Sequence, residues 1–263
     1  MDTNLLMYII ILIISVTMAM VGKGGGNFYV LVMVIAGISM TNAATTSQLI
    51  MMATALTSML IFHKSKRVDW KLALIIDPPT DIMAFVGGYF ASSFQATTLK
   101  IMFASVLIII SIFMFIPVKE KPTSQSNKKG YWNRTFNGYK YSVNLWIMLP
   151  LTATVGFFAG ALGISGGAFK IPLMVMLCGV PMEIAIGTSS AMVAATALMG
   201  FIGHNINGGF NPTLAIPLAI IAVTGGIIGS KFALKSKPKN LKQIFAFTNL
   251  FAGIMMLINI ITG

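Results

Sequence analysis

Ten apolar segments, almost free of charge, fill most of this 263-residue chain, at roughly 5–21, 28–39, 43–62, 72–92, 99–117, 147–163, 169–178, 183–203, 213–230 and 243–261. Inside hydrocarbon every backbone N–H and C=O must find a partner within the protein, so such segments fold as helices or as a closed barrel. Most of these segments approach the ~20 residues a helix needs to cross a bilayer core, and helices are expected. Composition agrees: 56% of residues are hydrophobic and 9% charged, whereas a soluble domain carries about 25% charged residues.

The net charge of +12 would suit nucleic acid in a soluble protein. Its placement argues otherwise, because 15 of the 18 Lys and Arg fall in three connecting segments, 64–71, 119–140 and 231–242. Basic loops on one face are what the positive-inside rule produces, and no nucleic-acid partner is expected. Cys178 is the single cysteine, which excludes an internal disulfide. The first apolar segment follows Asp2 with no Lys or Arg before it, the wrong flank for a signal peptide, and reads as a retained first helix.

The ten segments form two sets that share residues in register. Gly25-Gly26 corresponds to Gly166-Gly167, Thr46-Ser47 to Thr188-Ser189, His63 to His204, Leu72-Ala73 to Leu214-Ala215 and Leu99-Lys100 to Leu241-Lys242, at offsets of 141 or 142. Shared glycines, hydroxyls and histidines point to duplication. Residues 1–117 form a first transmembrane repeat and 146–263 a second, joined by a basic, cytoplasmic linker over 118–145. The loop 63–71 is basic where its mate 204–212 has no Lys or Arg, and 231–242 is basic where its mate 93–100 has only Lys100. Equivalent loops therefore face opposite sides of the membrane, which predicts inverted topology with both termini outside.

Each repeat breaks at glycines: Gly22-Lys23-Gly24-Gly25-Gly26-Asn27 in the first, Gly163-Ile164-Ser165-Gly166-Gly167 in the second. The short segments that follow read as half-helices, spanning or re-entrant. A helix restarting after a break points a partial positive charge at it, and two such ends make an anion nest. Close packing through small residues is the alternative. Lys23 and Lys170 flank the breaks without being equivalent, since Lys23 aligns with Ile164 and Lys170 with Tyr29. A buried cation marks a functional site by default; the alternatives are pairing with Asp77 or Asp81, or snorkelling of Lys170 to an interface. Pro172 is expected in the first turn of its half-helix. The hydroxyls of Thr46, Ser47, Thr188 and Ser189 can line the same nest, or simply cap and bond back to their own helices.

Asp77-Pro78-Pro79-Thr80-Asp81 interrupts the fourth segment, and its mate, Pro217 to Val223, has no charge. Intramembrane carboxylates serve an ion relay or pair with a lysine, so Asp77 and Asp81 are the candidate ion-coupling residues. Carboxylate-bound Mg²⁺, as in membrane prenyltransferases, needs more acids than these helices offer. His63 and His204 end the third helices at opposite faces and read as interfacial packing. No metal site, cofactor or catalytic residue is expected.

The stretch Gly160-Ala-Leu-Gly-Ile-Ser-Gly-Gly-Ala-Phe-Lys-Ile-Pro172, then Gly179-Val-Pro181 and Ala185-Ile-Gly-Thr-Ser189, resembles the sulfite exporter TauE/SafE family. The first repeat departs from it, with Lys23 inside the glycine run and Leu31 where the second repeat has Pro172. The resemblance implies a multi-pass permease of a prokaryotic inner membrane that exports sulfite, an organosulfonate or a related oxyanion or carboxylate. Lys23, Gly24, Gly25, Gly26, Asn27, Ser165, Gly166, Gly167 and Lys170 would then hold the substrate, lined by Thr46, Ser47, Thr188 and Ser189. The implied partners are a small anion, H⁺ or Na⁺ as coupling ion and the lipid bilayer, with an oligomer left open. An anion channel and an intramembrane enzyme acting on lipid phosphates are the rival readings.

Overall fold

A computed structural model describes residues 3–115, 129–164, 166–206 and 210–262. Eleven α-helices lie among them: α1 Thr3–Met20, α2 Gly26–Ile35, α3 Met40–Lys64, α4 Trp70–Ile76, α5 Pro78–Phe90, α6 Ala96–Phe115, α7 Leu145–Leu162, α8 Gly167–Cys178, α9 Met182–Ile206, α10 Pro212–Lys235 and α11 Pro238–Thr262. Strands β1 (Tyr131–Phe136) and β2 (Tyr139–Asn144) form an antiparallel hairpin. The chain is an all-α membrane protein apart from that hairpin. Helices α3, α7, α9 and α10 are long and apolar enough to cross a bilayer by length and composition. Their outward faces carry Leu56, Leu60, Ile147, Leu198, Ile216 and Ile220, as lipid contact requires.

Packing follows the two sets of segments. Helix α1 packs on α10 and α7 on α5; α3 packs on α10 and α9 on α5; α3 pairs with α9 and α6 with α11. Each pairing becomes its counterpart when the sets are exchanged. Gly187, near the start of α9, lies against Arg67, just past the end of α3. Gln48, near the start of α3, lies against Gly200, close to the end of α9. These mates therefore run antiparallel. Backbones approach closely through small residues: a Cβ on Gly156 or Gly160 of α7 would strike the carbonyls of Thr80 or Ala84 on α5.

One expectation gains detail and one is corrected. Within the linker 118–145, Tyr131–Phe136 and Tyr139–Asn144 form the β1–β2 hairpin. Asn137 and Gly138 turn it with φ of 49° and 82°, the pair of positive values that a two-residue hairpin turn needs. Residues 118–128 of the linker, with Lys119, Lys121 and Lys128, lie outside the described residues. Pro172 is not in the first turn of its helix: α8 begins at Gly167, which makes Pro172 the sixth residue. The helix starts earlier than its apolar run, and the carbonyl of Ala168 loses its partner one turn on.

The fourth segment breaks where its prolines predict. Asp77 ends α4 and begins α5, with Pro78 as the first residue of the new helix.

Candidate functional site

Both glycine breaks have the same construction. Gly22 and Gly163 are left-handed, with φ of 69° and 66°, a conformation glycine adopts without strain. Lys23 N donates to Met18 O (3.1 Å) and Gly22 N to Ala19 O (3.3 Å), while Ile164 N donates to Ala159 O (3.1 Å) and Gly163 N to Gly160 O (3.2 Å). These are the paired bonds of the Schellman helix ending, made twice. The helices restart in matching fashion: Gly25 O accepts from Tyr29 N (3.1 Å), and Gly166 O from Lys170 N (3.0 Å).

The breaks meet at the centre of the bundle and are held by each other's repeat. Ser189 Oγ of α9 donates to Gly22 O (3.1 Å), and Ser47 Oγ of α3 donates to Gly163 O (2.7 Å). Gly167 packs against Ser189 and Gly22 O, and Gly24 between Met51 and Val193. Lys23, Gly24, Gly25, Gly26, Asn27, Thr46, Ser47, Gly166, Gly167, Thr188 and Ser189 are all buried here. Ser165 lies outside the described residues. Lys23 sits just past the C-terminus of α1, where the helix dipole favours a cation. The two serine protons are engaged on carbonyls, so these hydroxyls act first as clasps on the breaks. Thr188 Oγ1 accepts from Asp69 N (3.0 Å), which leaves its own proton available to another acceptor.

Beside the second break lies a charged cluster. Lys170 is buried over Gly166, with its Nζ bonded to Asp77 Oδ1 and 2.7 Å from Thr196 Oγ1. Thr196 Oγ1 is in turn 2.7 Å from Asp81 Oδ1 and 2.8 Å from Met192 O. Lys170 thus pairs with Asp77 in this conformation. Asp77 is 5% exposed, whereas Asp81 is only partly buried. A lone ammonium or carboxylate at such a depth would cost several kcal/mol, which mutual pairing offsets.

Two features went unread in the sequence and one was read otherwise. Thr196 had a visible signal, since it stands at offset 142 from Thr54. His204 is not interfacial: it is buried, and its Nε2 bonds Gly160 O at 2.8 Å. Only His63 fits the packing expectation, accepting from Trp70 Nε1 at 3.0 Å. The third is Asp69, which caps α4 through Lys71 N (3.0 Å) and Leu72 N (3.3 Å) and binds Arg134 of β1 (2.8 and 3.0 Å) and the Tyr141 hydroxyl of β2. Burial pushes its carboxyl up, but the bonds from Arg134, Tyr141 and Leu72 outweigh that and hold it below the usual carboxylate range. Burial, and next the bond to Asp69, push the Tyr141 hydroxyl far up.

The fold and this centre define a class: a multi-pass helical membrane protein with two broken helices crossing in its core. Residues 7–256 match the family described as Sulfite exporter TauE/SafE, and the chain belongs to that family. It is 27% identical over 218 residues to "Probable membrane transporter protein YunE" of Bacillus subtilis, covering 82% of this chain and 80% of that protein. It is 24% identical over 258 residues to "Probable membrane transporter protein YdhB" of the same organism, covering 96% of this chain and all of that one. "Probable membrane transporter protein MJ0441" of Methanocaldococcus jannaschii is 23% identical over 229 residues, 82% of this chain and 79% of that protein. No solved structure matches the chain.

Proposed function

We propose that this membrane transporter carries a small anion, such as sulfite, an organosulfonate or a related oxyanion or carboxylate, outward across a prokaryotic inner membrane. The observation that carries the reading is the crossing of two equivalent helix breaks, each clasped by the other repeat's serine, with Lys23 buried among them. Helices that restart at a break in the bundle core suit an anion, and Lys23, protonated with the anion bound, would hold its charge. The repeats are read as inverted, with both termini outside, because equivalent loops differ in charge and the mates α3 and α9 run antiparallel. Rocking of one repeat against the other would expose the crossing alternately to each side. Asp77 and Asp81, whose counterparts in the second set of segments carry no charge, would couple that motion to H⁺ or Na⁺.

The test is uptake into proteoliposomes of labelled sulfite, sulfate, sulfoacetate, taurine and short carboxylates, with and without pH and Na⁺ gradients. Saturable, gradient-dependent flux of at least one of these anions is expected. Flux that rises linearly with concentration and ignores both gradients would make the protein a channel. Equal leak in protein-free vesicles for every anion would remove the reading altogether.

A further inference from the structure

The two repeats solve one packing problem with different chemistry. In the second repeat Lys170 folds over Gly166 to reach Thr196 on α9 at 2.7 Å. In the first, Tyr29 folds over Gly25 to reach Thr54 on α3 at 3.1 Å. Tyr29 and Lys170 are equivalent, as are Gly25 and Gly166, and Thr54 and Thr196, at offsets of 141 or 142. A neutral phenol therefore fills this position, and among the described residues no carboxylate is bonded to it. The fold does not require an ammonium there, and the charged version occurs where α5 brings Asp77 and Asp81.

The charges of that cluster do not balance. Two carboxylates, four residues apart at the start of α5, share a single ammonium, so the fully ionised cluster keeps one excess negative charge inside the bundle. Like charges this close, facing one cation, favour uptake of a proton by one member of the pair. From the geometry we infer that Asp77, Asp81, Lys170 and Thr196 form a binding site for a single exchangeable proton, and that the coupling ion of the transporter is H⁺ rather than Na⁺.

The hydrogen bonds supply a route. Asp81, the more exposed carboxyl, takes the proton on an Oδ. It reaches Asp77 when Lys170 Nζ first gives a proton to Asp77 and becomes a neutral amine with a lone pair; the Thr196 hydroxyl, turned from Asp81 toward Nζ, then gives that amine its proton while Thr196 Oγ1 takes the one held by Asp81. Thr196 and Lys170 then recover their starting proton counts, and the net change is one proton moved from Asp81 to Asp77. Na⁺ would have to lie against the Lys170 ammonium, which already holds Asp77 and Thr196, and like charges at such contact repel. Thr80, between the two aspartates, keeps a buried Oγ1 with no partner, one further polar group at the place where charge changes.

The other titratable groups on the elements that touch the cluster from outside are either bonded elsewhere or exposed. On α9, Glu183 pairs with Arg67 at 3.2 Å and His204 bonds Gly160 O. Lys71 is exposed at the head of α4, and α7 carries none. Of the elements touching α8, β2 contributes Tyr141, bound to Asp69, with Tyr139 and Lys140 exposed, and α6 contributes Lys100, bound to Asn259 at 2.9 Å.

This inference deepens the transport reading by naming its coupling ion, yet proton binding can be measured with no anion present. Purified protein in lipid would be perfused on an infrared cell between about pH 5 and pH 9, a window that excludes ordinary carboxylates. A protonated-carboxyl stretch that disappears as pH rises is expected in the wild type, unchanged when Na⁺ replaces choline at fixed pH. Asp77→Asn and Asp81→Asn should each abolish it, because the remaining carboxylate then pairs with Lys170. Lys170→Tyr, which installs the other repeat's residue, should enlarge it, since both carboxyls lose their cation. Absence of the band in the wild type, its survival in both Asn variants, or its displacement by Na⁺ would each overturn the proposal. Loss of the proton site with anion flux intact would leave the transport reading standing, and the reverse result would leave the proton site standing. Monodisperse elution of each variant serves as the folding control, and the two Asn variants decide the matter if the tyrosine variant fails to fold.

Discussion

Ser47 and Ser189 each stand at the start of a long helix and reach across to the backbone of the other repeat, at 2.7 Å and 3.1 Å. Removing either hydroxyl leaves a buried carbonyl at a helix break without that donor, which costs about 1–3 kcal/mol. Ser47→Ala and Ser189→Ala should therefore lower the thermal midpoint by comparable amounts, read by fluorescence-detected size exclusion after heating. Unequal losses, with one variant unaffected, would deny that the clasps are equivalent. The serines, glycines and lysines were legible at this scale because polar groups in apolar segments stand out by composition. The pairing of Lys170 with Asp77 was legible only as an alternative, since sequence spacing does not say which of two neighbouring helices a side chain faces. Thr196 looked ordinary because a threonine in a helix usually bonds back to its own carbonyls; it does so with Met192 O while also serving the cluster.

Among the elements, the half-helices and the proline break were readable from glycine runs and an Asp-Pro-Pro triplet, since those residues act on the local backbone. The hairpin carried an equally local signal, Asn137-Gly138 between aromatic residues, but the basic composition around it masked the alternation. Its anchoring could not be read, because Asp69 is 65 residues from Arg134 and 72 from Tyr141. Asp69 ties the hairpin to the start of α4, and its amide ties both to Thr188 beside the crossing. Its carboxyl is held below the ordinary range in the folded protein. The stability it contributes is therefore complete above the unfolded-state value near pH 4 and is lost as pH falls through the lower, folded-state value. Asp69→Asn should cost about 2–3 kcal/mol at neutral pH and flatten the acid limb of a thermal-midpoint-versus-pH curve. An acid limb that matches the wild type would show that the latch contributes nothing.

At the scale of the whole molecule, each packing pair has its counterpart when the two sets of segments are exchanged, the same sets that the residue register matches. Orientation in the bilayer rests on loop charge and on the antiparallel run of α3 and α9. Lys64 and Asn205, equivalent exposed residues near the ends of those helices, should then lie on opposite sides of the membrane. In a Cys178→Ala background, a membrane-impermeant maleimide applied to intact cells should label Asn205→Cys and not Lys64→Cys. Equal labelling of both would contradict the inversion.

The claim on which the rest depends is that the anion passes through the crossing of the two breaks and meets Lys23 there. Exchange of labelled for unlabelled anion at equal concentrations on both sides needs no driving gradient, so it isolates binding and passage from coupling. With the anion that gives the largest wild-type flux, Lys23→Met should reduce exchange at least about tenfold, equivalent to ~1.4 kcal/mol, while eluting as folded protein. Lys23→Arg should also be impaired, because a planar fork does not replace a compact ammonium in a closed site. Near-normal exchange by folded Lys23→Met would place the anion path elsewhere and contradict the account.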